Sequence, residues 1–149
     1  MTKTYAIKPV DIQRKWYLID ASTDSLGRIA TQTARLLIGK DKAQFSQHID
    51  CGDYVVIINA AKLKVTGNKL SDKKYYHHSG HPGGLRTVSL NEQMTNDPTK
   101  VIYHAVRGML PFNKLSTGRL SRLKIYAGEE HQHTAQQPVE LLTARGGKV

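Results

Sequence analysis

Seven residues, Asp53-Tyr-Val-Val-Ile-Ile-Asn59, constrain the fold more than any other stretch of the chain. The apolar run Val55–Ile58 is β-branched throughout, with no polar alternation, and that is how a strand covered on both faces reads. Upstream, Trp16-Tyr-Leu-Ile-Asp20 is rich in strand formers and ends in turn residues. Ser22-Thr-Asp-Ser25 then offers several N-caps. Leu26, Ile29, Ala30, Thr33, Ala34, Leu37 and Ile38 follow at helical spacing, with Arg28, Gln32 and Arg35 on the polar side and Gly39 as the stop. Strand, helix and strand make a βαβ unit, whose crossover is right-handed in nearly all cases.

A chain of 149 residues suits one domain with a proper core. Residues 1–15 read as an extended basic arm, 16–128 as the domain and 129–149 as a basic C-terminal tail, mobile after Gln137 in the free protein. Within the domain, Ala60–Val65 begins a short helical or strand segment and Thr66-Gly-Asn-Lys69 is a turn. Lys73–Val88 reads as a two-stranded excursion around His81-Pro-Gly-Gly84, and Ser89 as the cap of a helix from Leu90 to Thr95. Pro98 suits the first position of a helix over Thr99–Met109, with Val101, Ile102, Ala105, Val106 and Met109 on its apolar side. Pro111 ends that helix; residues 114–123 are basic and helix-like, and Leu123-Lys-Ile-Tyr126 is a last short strand.

The charge is lopsided and localised. The chain carries +10, and residues 62–126 supply +9 of it, with twelve lysines and arginines against Asp72, Glu92 and Asp97. Self-repulsion at this density costs stability unless a polyanion offsets it, and phosphate backbones do so by releasing condensed counterions. Nucleic acid is the partner this favours over an anionic membrane surface or an ordinary basic enzyme. The only cysteine, Cys51, cannot form an intrachain disulfide, which fits a reducing compartment. Val55–Ile58 is far too short to span a bilayer, and Met1-Thr-Lys-Thr-Tyr-Ala-Ile-Lys-Pro9 has no apolar signal core. A cytoplasmic protein is expected.

The strongest binding segment is Lys73-Lys-Tyr-Tyr-His-His-Ser-Gly-His-Pro-Gly-Gly-Leu-Arg86. Its cations suit phosphates, its rings can stack on exposed bases, and its glycines let backbone N–H groups approach a phosphate closely. The bland alternative is a solvated hairpin. His77, His78 and His81 tempt a zinc reading, as do His131 and His133, but structural zinc usually draws on cysteine and the chain has one; no metal is expected. Thr66-Gly-Asn-Lys69 echoes the end of a phosphate-binding loop, yet Lys62 and Leu70 stand where a glycine and a hydroxyl are needed, so no nucleotide cofactor is expected. Cys51 reads as a small buried hydrophobe rather than a nucleophile beside His48. Asp50 and Asp53 read as turn or capping residues, and the carboxylates of the basic stretch are too scattered for a metal-dependent nuclease. Catalytic residues are therefore not expected. Arg107 and Lys114 bracket the Gly-Met-Leu-Pro break and can reach phosphates, while Met109 and Leu110 should pack on the core; a plain helix-ending turn is an equal alternative on the residues alone.

Four sets of residues together resemble the large-subunit ribosomal L-thirteen family over roughly residues 14–142. They are Trp16-Tyr-Leu-Ile-Asp20 with Leu26-Gly-Arg-Ile-Ala30; Gly52-Asp-Tyr-Val-Val-Ile-Ile-Asn-Ala60; Val65-Thr-Gly-Asn-Lys69 through Tyr75-Tyr-His-His-Ser-Gly-His-Pro-Gly-Gly-Leu85; and Val106-Arg-Gly-Met-Leu-Pro111 through Leu123-Lys-Ile-Tyr-Ala-Gly128 with His131-Gln-His133. The resemblance implies a three-layer α/β/α fold with a short, mostly parallel four-stranded sheet. It implies a structural constituent of the large ribosomal subunit that binds large-subunit ribosomal RNA, joins early in assembly and touches neighbouring ribosomal proteins, in the cytoplasm or on an organellar ribosome. No enzymatic activity and no small-molecule substrate are implied. Carried onto this chain, the RNA contacts are Lys69, Lys73, Lys74, Tyr76, His78, Gly80, Gly83, Gly84, Arg107, Lys114 and Lys124. Arg86, Arg119 and Arg122 join them as the remaining cations of the same two stretches. The chain departs from the family pattern at Phe112, where a basic or polar residue is usual, at Ser116-Thr-Gly-Arg119, at His81 and at Gln132. Two other readings compete: an RNA-binding regulator working off the ribosome, and a basic α/β hydrolase or nuclease built on His77–His81.

Overall fold

The computed structural model describes residues 7–141. The two strands read first from the sequence, β1 (Trp16–Asp20) and β2 (Tyr54–Ile58), pair in parallel, Trp16 opposite Tyr54 and Asp20 opposite Ile58. The helix between them, α1, runs Leu26–Ile38. Gly39 ends it at φ 80°, its N–H donating to the Arg35 and Leu36 carbonyls. Ser25 caps α1 without a side-chain hydrogen bond. Such a cap is worth about 1 kcal/mol, whereas burying one Leu or Ile side chain is worth about 1.5–3 kcal/mol. Burial of Ile29, Leu37 and Ile38 therefore holds this helix more than its cap does.

Beyond β2 come α2 (Lys69–Asp72), β3 (Lys74–His78), β4 (Leu85–Ser89), α3 (Leu90–Asn96), α4 (Pro98–Met109), α5 (Leu115–Ser121), β5 (Leu123–Ile125) and β6 (Val139–Glu140). The main sheet has strand order β5-β2-β1-β6, parallel throughout, and β3 with β4 forms a separate antiparallel ribbon. This is the α/β architecture expected, with the four-stranded sheet. The tail, however, is part of it. Val139 and Glu140 pair with Tyr17 and Leu18, and the Leu141 N–H donates to the Leu18 carbonyl. A strand of two residues, flanked by Pro138 and Leu141, has no periodicity to read; residues 142–149 of the expected mobile tail lie outside the described residues. The arm also touches the body from Ile7, which is buried, through Gln13, whose carbonyl accepts from Lys42 Nζ.

Alternation along the strands sends residues to two covered faces, as the unalternating sequence demands. Ile19, Val55, Ile57 and Leu123 join α1 and the Val101, Ile102 and Val106 side of α4 in the main core. On the opposite face Val56 and Ile58 are also buried. There Trp16 stacks on Tyr54 with centroids 4.3 Å apart, and the His133 ring lies 5.0 Å from Trp16. Met109, expected on the apolar side of α4, is instead 42% exposed, while Leu110 is buried. The helix ends at Met109, and the extended backbone of Leu110 (φ −80°, ψ 146°) turns that side chain inward in its place.

Two arginines expected at the surface are in the interior: Arg119 is 2% exposed and Arg122 7%. Arg122 grips Asp50 with both terminal nitrogens, at 2.5 and 2.7 Å. Its Nη2 also donates to the Leu37 carbonyl in the last turn of α1 (3.2 Å), and its Nε to the Asp53 carbonyl (3.3 Å). Arg119 Nε reaches the same Asp50 carboxylate, at Oδ1, at 3.4 Å. A cation at a helix C-terminus satisfies orphan carbonyls and complements the helix dipole. Gly52 makes the approach feasible, since a Cβ there would sit 1.8 Å from the Leu37 oxygen. Asp50 and Asp53 are thus ion-pair partners rather than simple turn residues: Asp53 accepts from Lys15 N at 2.8 Å and pairs with Lys42 Nζ at 2.6 Å.

Removing one member of a buried pair strands the other, so Arg122→Ala is expected to cost about 3–5 kcal/mol, measured by denaturant unfolding. Burial pushes the Asp50 carboxyl up, but the Arg122 hydrogen bonds and charge outweigh it and hold the group below the ordinary aspartate value of 3.8. A carboxyl lowered in the folded state stabilises fully above that value and loses its contribution as pH falls through its folded value. Unfolding followed from pH 7 downward, about where such groups are ionised, should therefore show a loss of stability below pH 3.8, with a weaker pH dependence in Asp50→Asn. An unchanged profile would show that this pair does not govern acid stability.

Candidate nucleic-acid interface

The β3–β4 ribbon is held to the body on one side only. Tyr75 is half-buried against the core, and its ring lies 5.5 Å from His104 of α4. Strand alternation then puts Lys74, Tyr76 and His78 on the other face, opposite Ser89, Thr87 and Leu85. Tyr76 is 67% exposed and Leu85 59%, so this face offers a bare ring and an apolar side chain to a partner. Arg86 sits opposite His77. Lys69 from α2 and Lys73 at its end are exposed beside the ribbon, and Lys73 Nζ lies 5.7 Å from the Tyr75 ring centroid.

The turn of the ribbon is built by its glycines in two ways. Gly80 and Gly83 sit at φ 89° and 74°, a region that side chains disfavour, and a Cβ at either would meet nothing within 4 Å. Their backbone is open to an approaching group. Gly84 is enclosed: a Cβ there would fall 2.0 Å from Ser79 Oγ, and its N–H is spent on the His81 carbonyl. Gly84 shapes the loop rather than opening it. The Gly80 N–H donates to His78 Nδ1 at 2.9 Å, which in the neutral ring puts the proton on Nε2. That nitrogen can donate to a phosphate oxygen.

The other expected contacts fall in three places. Arg107, in the last turn of α4, and Lys114, at the start of α5, are exposed at the Gly-Met-Leu-Pro break. Lys124 is half-buried in β5, in register with Val56 and therefore on the ring-covered face of the sheet. Arg119 and Arg122 are withdrawn from any RNA surface, because their guanidinium groups are committed to Asp50 and to backbone carbonyls inside the protein. The acid they share, Asp50, lies some seventy residues upstream, and that is the signal for their burial. The ring of Tyr103, 37% exposed on α4, was not singled out from the sequence and belongs to the surface around Arg107.

Chemically, the ribbon face combines cations, a stacking ring and unobstructed backbone, which suits a phosphate chain with accessible bases. Among the described residues no three His, Cys, Asp or Glu side chains stand together where they could hold a metal ion, and no helix is long and apolar enough to cross a membrane.

Known proteins are similar to this chain over most of its length. The family described as Ribosomal protein L13 matches residues 14–132. The large ribosomal subunit protein uL13 of Hahella chejuensis is 51% identical over 139 residues, covering 93% of this chain and 98% of that one. The protein of the same name from Kocuria rhizophila is 54% identical over 136 residues, covering 91% and 92%. That from Syntrophomonas wolfei is 49% identical over 144 residues, covering 97% and 99%. With a family match over most of its length and relatives near half identity across nearly all of it, this chain belongs to the ribosomal protein L13 family.

Proposed function

We propose that the chain is a structural constituent of the large ribosomal subunit, binding large-subunit ribosomal RNA and joining early in assembly beside neighbouring ribosomal proteins in the cytoplasm. The observation that carries this reading is the ribbon. Anchored by Tyr75, it presents Lys74, Tyr76 and His78 on one face, with Lys69, Lys73 and Arg86 around it. Family membership supports the same conclusion, since the relatives are named as large-subunit proteins. The mechanism is neutralisation and shape. A rigid α/β body fixes the ribbon, the cations displace counterions from phosphates, and paired RNA is read through its backbone and 2′-hydroxyls. The chain has no catalytic step in this reading.

Two measurements test it. Sedimentation of a native extract should recover the chain with the large subunit in near-stoichiometric amount after a moderate-salt wash; recovery only in slow fractions would reject the structural role. With purified protein and paired RNA, log affinity should fall steeply with log salt, and the double variant Lys73→Ala, Lys74→Ala should make that slope shallower by about 2. A wild-type slope near zero would remove charge neutralisation as the mechanism.

A further inference from the structure

The groove between α4 and α5 is separate from the ribbon and has an unusual wall. Phe112 is fully exposed, with nothing of the protein covering its ring. One exposed ring alone would mean little, but Phe112 adjoins Tyr103, Leu110 and Leu120 along the groove, and apolar side chains grouped in this way suit a binding site. Tyr103 and Arg107, one helical turn apart on α4, stand on the same side of the groove. Buried Leu110 contributes to its lining, and Ser116 of α5 adds a hydroxyl. The groove measures about 620 Å³, the size of a small-ligand cleft.

We propose that this groove is a stacking site for an unpaired base of the RNA, with Phe112 as the platform and Arg107 on the adjoining phosphate. The proposal rests on the RNA-binding reading above and adds a second, chemically different contact to it. Charge selects the occupant. The lining holds one cation and, among the described residues, no carboxylate. Every nucleotide offers a base π-face to an aromatic ring and a phosphate to a guanidinium.

The test is fluorescence anisotropy with the full chain and two probes, a fully paired RNA and a short oligoadenylate. Because Phe112 is wholly exposed, Phe112→Ala leaves the core intact. Loss of one stacked base is expected to weaken oligoadenylate binding about tenfold, to leave paired-RNA binding unchanged, and to be reversed by Phe112→Tyr. If Phe112→Ala binds both probes like the wild type, the base site is rejected while RNA binding stands; a groove that receives a neighbouring protein gives this result. An equal loss on both probes also rejects it, since the ring would then not discriminate unpaired bases. If the wild type binds neither probe, the RNA-binding reading itself falls.

Discussion

The buried guanidinium of Arg122 is the joint on which the body of this protein turns. It binds the end of α1 at Leu37, the approach to β2 at Asp50 and Asp53, and its own position at the entry to β5. These segments are far apart in sequence, and no hydrophobic contact could fix their relative angle as narrowly as several directional bonds from one planar group. A buried ion pair of this kind adds little net stability over a well-packed apolar substitute. Its contribution is to geometry: it sets where α5 ends and β5 begins, and so where the α4–α5 surface stands relative to the sheet. Gly39 and Gly52 are the complement of this joint, because each lets backbone pass where a side chain would collide.

Outside the core the protein relies on strand alternation to divide labour. Tyr75 holds and Tyr76 presents, although the two are adjacent and chemically identical. A one-residue slip between β3 and β4 would exchange them. The cross-strand register from Lys74–Ser89 to His78–Leu85, locked at the turn by Gly80, Gly83 and the enclosed Gly84, guards against this. The surface charge therefore has a defined orientation, which a flexible basic tail would lack.

Patterns that depend on neighbours in sequence were legible from the chain alone. The β-branched run became β2 and the amphipathic stretch became α1, ending at Gly39. Ser89 became the cap that accepts from Glu92 N, and the excursion at 73–88 became a ribbon. What depends on distant partners was not legible. Arg119 and Arg122 read as surface cations because their acid lies some seventy residues upstream. Leu110 packs on the core as expected, but Met109 does not, because a helix end is set by backbone geometry rather than by period. The ribbon residues were recognisable as a binding segment from composition, but only the anchor at Tyr75 tells which of its rings and glycines face outward.

The pairing of β6 with β1 has a consequence for how the chain reaches its shape. Tyr17 bonds beside Val139, so the last strand of the sheet joins the first across almost the whole sequence. Synthesis runs from the N-terminus, and closing so long a loop carries an entropy cost that two paired residues repay poorly on their own. The unit β1-α1-β2 is complete long before β6 emerges, leaving one edge of β1 without a neighbour in the nascent chain. Edge strands are where chains aggregate. The two residues of β6 thus act as a late seal, covering that edge only after the rest of the sheet has been made, and a product cut before Val139 would carry it exposed.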